Sequence, residues 1–308
     1  MKPLFKVAKD LGKDVEGDFV AVEKKKEHIK FDTGLHTSII KIENEVIKHL
    51  ELKNSSLINK MFENLDIRQG YIMCNEGVLY DVHIAFFLTK HKPTPTFAKA
   101  TIKGKNRVQS ITGFFLPIYN PKNSKYEIVP HLHIVFTNIR TGKIFSGHLV
   151  DAPTGELKIK IISLAGKSLK RDVDPNTGLM YLRAYPLEDF IPKSRDTVLF
   201  AYGPNENFPS KIIKHLKKFG VKRAEIIFAV GTMTSACLFD YNSNNSIMVR
   251  PKDGLELAQT KGEILFKEYS SEYEINVHLT DKYGCQYKGL LGYGRVKELV
   301  EGLLRVEV

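Results

Sequence analysis

The stretch HLHIVFTNIRTGKIFSGHL, residues 131–149, gathers three of the chain's ten histidines into one short β-patterned run. Its apolar positions alternate up to Asn138, a turn sits at Thr141-Gly142, and a second alternating run follows, which is the pattern of a β-hairpin. Alternate strand residues point to the same face, so His131 and His133 project together while Leu132 and Ile134 face the opposite, buried side. The return strand brings His148 back beside them. Three neutral imidazoles meeting at one point form a ligand set for Zn²⁺ or a similar divalent transition metal, with positions left open for water or substrate. The same spacing also suits solvated histidines or histidines bonded to backbone groups, and both readings stand on spacing alone.

Around this hairpin the chain repeats itself. Residues 54–66, NSSLINKMFENLD, and residues 207–220, NFPSKIIKHLKKFG, both read as amphipathic helices, each followed by a β-rich run. Counted back from Gly77 and Gly231, Ile58 matches Ile212, Phe62 matches Leu216, Leu65 matches Phe219 and Ile67 matches Val221. RVQSITGFFL resembles GLELAQTKGEIL further on, and the histidine hairpin resembles YEINVHLTDKYGCQYKGLL. In that alignment His133 corresponds to His278, Asn276 stands where His131 falls, and Leu290 where His148 falls. The expected fold is α+β, two tandem units, each an antiparallel sheet packed with helices. The expected boundaries are an extension at 1–48 with a β-hairpin around Asp32-Thr33-Gly34, a first unit at 49–165, a linker at 166–195, and a second, degenerate structural unit at 196–308.

Composition narrows the partners. The chain of 308 residues carries 46 Lys and Arg against 35 Asp and Glu, a formal charge of +11. Val82 to Tyr126 holds no acidic residue but has Lys90, Lys92, Lys99, Lys103, Lys105, Arg107, Lys122 and Lys125. Such clustering favours anionic partners, nucleic acid among them, through phosphate neutralisation. Lys99, Lys103, Lys105 and Arg107, in TKHKPTPTFAKATIKGKNR, residues 89–107, read as a mobile loop, are the candidate contacts. The lysines of 211–218 fit the solvent face of an ordinary helix. Three scattered cysteines without a C-x-x-C motif suit a reducing compartment. No apolar run is long enough to span a membrane. The expectation is a cytoplasmic, soluble protein.

These residues resemble a known family. The H-L-H … G-H pattern of the hairpin, with RVQSITGFFLP before it and NLDIRQGYIMCNEGVLYDVHIAFF earlier, is similar to the PPC (plants and prokaryotes conserved) domain. The likeness is close over about 49–165 and looser over 196–300. The resemblance implies an α+β fold, assembly into trimers through sheet contacts, and metal binding by His131, His133 and His148; the fused second unit offers intramolecular pairing as the alternative to a homo-oligomer. It also brings the DNA-binding description of bacterial and archaeal members, which leans on plant relatives with an R-G-R-P hook. That hook is absent here, and IKGKNR is the nearest run.

The expected role is therefore metal binding in a binding or regulatory protein, with DNA association as a candidate. The alternative is a metal-dependent hydrolase or lyase, for which Glu76 and His83 are the candidate acid or base. GLLGYGRV, residues 289–296, offers either a tight glycine loop or an anion cradle at the start of a final helix.

Overall fold

The computed structural model describes residues 15–20, 36–40, 47–52, 62, 67–88, 96–120, 124–163, 168–173, 180–185, 197–240, 245–252, 254–268, 270–281 and 284–308. In chain order the strands are β1 (Val15–Val20), β2 (His36–Ile40), β3 (Ile47–Leu52), β4 (Gly70–Cys74), β5 (Gly77–Leu88), β6 (Thr96–Asn120), β7 (Lys125–Asn138), β8 (Ile144–Asp151), β9 (Thr154–Ser163), β10 (Ser168–Val173), β11 (Met180–Tyr185) and β12 (Thr197–Tyr202). The helix α1 (Phe208–Lys218) follows, then β13 (Arg223–Phe239), β14 (Ser246–Val249), β15 (Leu255–Phe266), β16 (Ser271–Asp281) and β17 (Gln286–Glu307).

The strands form two large antiparallel sheets and a small hairpin, β10–β11. In the first sheet β6 pairs with β4 and β7, and the order β6-β4-β9-β5-β8-β7 closes on itself. The second runs β14-β13-β15-β16-β17-β12-β2, and pairing of β13 with β17 closes its centre. Each sheet wraps its own apolar cluster, one around Ile84, Phe115 and Ile134, the other around Phe200, Leu257 and Val300.

The α+β expectation is corrected: the described fold is mostly strand, with one helix, and helices do not cover the sheets. The expected helix at 54–66 lies outside the described residues apart from Phe62, which is fully buried. The expected helix at 207–220 is α1. Phe208, Ile212 and Leu216 face the core, and the chain leaves the helix through Gly220 at φ +68°. Residues 289–296, read as a loop before a helix, lie inside β17. The run VKELVEGLL is helix-prone in isolation. Here it lies between β13 and β12, whose ladders satisfy its backbone on both sides, and this outweighs local propensity. Of residues 89–107, read as a mobile loop, 96–107 lie in strand β6, paired with β5. The first arm of the hairpin expected around Asp32-Thr33-Gly34 lies outside the described residues, and His36–Ile40 pairs with β12.

The two sheets share one plan. Gly70 pairs with Phe115 and Ser163, and Ala224 pairs with Ile264 and Val306. Gly77 pairs with Leu157, and Gly231 with Val300. Both glycines have φ near +140° (138° and 145°). A Cβ would lie 2.6 Å from Glu156 O at Gly77 and 2.1 Å from Leu299 O at Gly231, so only glycine fits either position. Ala85 pairs with His148, and Phe239 with Leu290. The sheets pack on each other through Tyr71, Phe114, Leu116 and Ile162 of the first and Leu199, Phe228, Val230 and Leu303 of the second. Phe228 is the centre of this contact, 4.9 Å from the Phe114 ring and 5.8 Å from Tyr71.

Candidate metal centre

The histidine hairpin is β7–β8. Leu132 and Ile134 enter the first core, as the alternation requires, and His131 and His133 share the other face. His133 pairs directly with His148 across the ladder. Each of the three rings can offer one nitrogen such that these atoms lie within 4.8 Å of one another. The Nε2 atoms of His131 and His148 are 2.5 Å apart, and their rings stack at 4.7 Å between centroids. His133 is 4.1 Å from His148 by the same measure.

The far side of the trio is closed by the second sheet. His131 Nδ1 is hydrogen-bonded to Glu301 Oε1 at 2.9 Å. Glu256 Oε1 lies 2.9 Å from His133 Nδ1 and 3.1 Å from His148 Nδ1, within ion-pair reach though not aligned as hydrogen bonds. His133 is fully buried, His131 and His148 are each 17% exposed, and Glu256 and Glu301 are 3% and 1% exposed. The site is thus a pocket between two sheets rather than the open face expected from spacing.

Burial, reinforced by His148, pushes the His133 imidazole down to about 4 despite Glu256, so it is neutral at pH 7. Neutral imidazole is the form that binds a metal. Burial opposes ionisation of Glu256, but His148 and His133 outweigh it and hold the carboxyl below the usual carboxylate range. The residues fit a metal ion on their own chemistry. Three nitrogen donors converge, and the buried Nε2 of His133 has no hydrogen-bond partner among the described residues.

The other candidates fall elsewhere. Glu76 is exposed and paired with Lys158 at 3.1 Å, and His83 is exposed with Nδ1 2.8 Å from Thr101 Oγ1. The carboxylates beside the trio are Glu256 and Glu301, which the sequence reading did not single out. The available signal was the alignment of RVQSITG with ELAQTKG, which places Glu256 against Arg107. Lys99, Lys103, Lys105 and Arg107 are all exposed along β6.

Register also corrects the repeat alignment. His133 pairs with His148 and Ile134 with Gly147, whereas Asn276 pairs with Leu290 and Val277 with Gly289. The position equivalent to His133 is therefore Asn276, and that equivalent to His131 is Glu274. His278 sits two residues further on, buried and bonded to Gln286.

Comparison with known proteins adds the following. Residues 55–172 match the Plants and Prokaryotes Conserved (PCC) domain. A metal-containing protein of Archaeoglobus fulgidus is similar at 19% identity, covering 47% of this chain and 97% of its own, with a TM-score of 0.39. A plant- and prokaryote-conserved protein of Pyrococcus horikoshii is similar at 16% identity, 49% and 96% coverage and a TM-score of 0.37. A Bacteroides thetaiotaomicron protein proposed to bind DNA is similar at 20% identity, 48% and 96% coverage and a TM-score of 0.36. No curated protein matches the chain.

Proposed function

We propose, for a chain whose residues 55–172 are a PCC domain, that it is a metal-binding protein holding one divalent transition metal on His131, His133 and His148. The observation carrying this reading is the convergence of three histidine nitrogens, each ring backed on its Nδ1 side by a buried carboxylate. Ligand histidines typically hand their second nitrogen to such a group. Zinc is the first ion to test, since it favours imidazole donors and accepts a three-histidine set. A bound divalent ion of this kind polarises a coordinated water or carbonyl. The protein's own part is to hold the rings, keep His133 neutral and wall the pocket from bulk water. Metal analysis of tag-free protein after zinc supplementation and desalting should find about one equivalent per chain. Less than a tenth of an equivalent of any transition metal would remove this reading.

A second reading, association with nucleic acid, draws on the basic residues of β6. The turn bearing Arg140 and Lys143 is tied beside Lys103 and Lys105. Asn138 Nδ2 donates to Lys103 O at 2.9 Å, and Ile139 N to Lys105 O at 3.0 Å. Lys103, Lys105 and Arg140 are exposed and Lys143 is half-buried, and together they make one basic end. Binding driven by it weakens steeply as salt rises, and an affinity for duplex DNA that does not depend on salt would exclude it.

Among the described residues no helix is long and apolar enough to cross a membrane. The second sheet packs on the metal-bearing face of the first, with β15 against β7 and β8. We take intramolecular pairing of the two sheets as the partner arrangement most in keeping with this contact.

A further inference from the structure

The trio and its flanking carboxylates come from different sheets, and the shared plan shows what each sheet has at the other's positions. Val78 pairs with Arg107 where Thr232 pairs with Glu256, so Arg107 stands at the Glu256 position of the first sheet. Leu157 matches Val300, so Lys158 stands at the Glu301 position. Conversely, Glu274, Asn276 and Leu290 of the second sheet stand where the first has His131, His133 and His148. The first sheet keeps the donors and carries cations in place of the carboxylates. The second keeps the carboxylates and has no imidazole at the three donor positions.

We propose that Glu256 and Glu301 are positioning residues for the histidine trio, so that the second sheet is a working half of one composite metal centre and the bound ion fastens the two sheets together. This rests on the metal-binding reading above.

An imidazole offers its lone pair from whichever nitrogen lacks the proton. A carboxylate at Nδ1 fixes the proton there, turns Nε2 toward the metal and holds the ring in that plane. Glu301 does this for His131 at 2.9 Å. Glu256 Oε1 stands within 2.9 Å of His133 Nδ1 and 3.1 Å of His148 Nδ1, so one side chain is placed to take up this role for two ligands once the ion draws the rings into line. The arrangement also accounts for two carboxylates at 3% and 1% exposure in the same pocket. Buried carboxylates are costly unless compensated, and a divalent cation across three neutral rings matches their combined formal charge. The cation therefore links Glu256 and Glu301 on one sheet to β7 and β8 on the other, through the rings.

The test uses the full chain. Zinc affinity is measured by competition with a chromophoric chelator for wild type, Glu256→Gln, Glu301→Gln and the control Glu274→Gln, an exposed carboxylate. Visible spectra are recorded with Co²⁺ in place of zinc. The expected result is one equivalent bound by wild type and by the control with equal affinity. Each of the other two variants should bind roughly 10- to 100-fold more weakly, with an altered Co²⁺ band. The zinc-induced rise in Tm should shrink in the same two variants. Should Glu256→Gln fail to fold, Glu301→Gln carries the test, because its partner His131 lies at the pocket rim. Wild type that loads one equivalent, beside both variants loading with unchanged affinity and spectrum, overturns the positioning role and leaves metal binding intact. Wild type that takes up no ion sinks the metal reading and this one with it.

Discussion

In the first sheet His133 pairs with His148; at the same place in the second, Asn276 pairs with Leu290. The hairpins share their glycines and their partners across the sheet, and they differ in what covers them. The first hairpin's outer face lies under β15 and β16 of the second sheet. The second hairpin's equivalent face is exposed at Glu272 and at Glu274, and it borders an open groove of about 470 Å³ that includes Glu263 and Asn276. The apolar contacts follow suit. Tyr71 and Phe114, buried against Phe228, have as counterparts the charged residues Glu225 and Glu263. By the ladder, the counterpart of Phe228, which lies opposite Leu303, is Met73, opposite Lys160. Only one of the two equivalent face pairs is built to stick, and the metal ligands lie in that one. The lesson is that a repeat can keep its backbone plan while dividing one site between its copies.

The largest effect expected from breaking this asymmetry is loss of the metal. His148→Ala should lower zinc affinity by roughly a hundredfold or more, because it removes one of three donors and leaves Glu256 without one of its imidazoles. His278→Ala should leave affinity unchanged, since His278 stands outside the trio and bonds Gln286. Chelator competition on both proteins checks the pair of outcomes. Weakened zinc binding in the His278 variant would mean that the repeat register given above is wrong.

Next in size is the apolar contact between the sheets. Phe228 is 1% exposed and touches both Tyr71 and Phe114. Phe228→Ala should cost about 3–5 kcal/mol in denaturant unfolding, the range for deleting a fully buried phenyl ring. Met73→Ala, at the equivalent place in the first sheet, trims a half-buried side chain and should cost about 1 kcal/mol. Equal losses would argue that the two faces are not energetically distinct.

How far the sequence foretold this can be argued from these same residues. The alternation in 131–149 was legible because each period-2 position has one fate, core or opposite face, and Leu132 and Ile134 took the core. The repeat was legible from Gly77 and Gly231, whose positive φ values tolerate nothing else. Helix α1 was legible because Pro209 and Gly220 bracket an amphipathic run. The final strand was not, since helix-prone Lys, Glu and Leu residues yield to ladders that neighbouring strands supply from far away in the chain. The carboxylates were hidden for the same reason. Glu256 and His133 are brought together only by packing of one sheet on the other, which no local period encodes. The mistaken match of His133 with His278 came from matching residue types before the ladder fixed the register.

A smaller effect separates the histidines by pH. Burial, with help from Lys288, lowers His278 to about 4, against an ordinary value of 6.5. A depressed histidine is neutral in the folded state while the unfolded chain takes up a proton, so the unfolded state binds more protons between these values. Its contribution is fully present above pH 6.5 and is lost as pH falls toward 4. For a group this buried the loss is on the order of 2–3 kcal/mol. His133, lowered to about 4 by burial and His148, titrates in the same window in metal-free protein. Urea unfolding of metal-free wild type from pH 7 to 4 should show a falling stability. His278→Gln should flatten part of that slope and leave the rest, which belongs to the first sheet. A slope unchanged by the substitution would mean that His278 is hydrated in solution.

The smallest expected effect lies on the exposed counterpart of the buried contact. Glu225 is 58% exposed, and its Oε2 is 3.6 Å from Nη1 of Arg305, itself 44% exposed. Pairs so open to water contribute a few tenths of a kcal/mol and are screened by salt. Glu225→Gln should therefore shift unfolding stability by less than about 0.5 kcal/mol. Tyr71→Gln, at the same register position in the first sheet, should cost several times more, because Tyr71 is 1% exposed and packs on Phe228. Comparing the two variants in low and high salt sharpens the distinction. The Glu225 effect should fade with salt, while the Tyr71 effect should persist, since it arises from apolar burial rather than charge. A large, salt-resistant cost at Glu225 would show that its face is covered in solution, and the division of the two faces into one closed and one open would have to be abandoned.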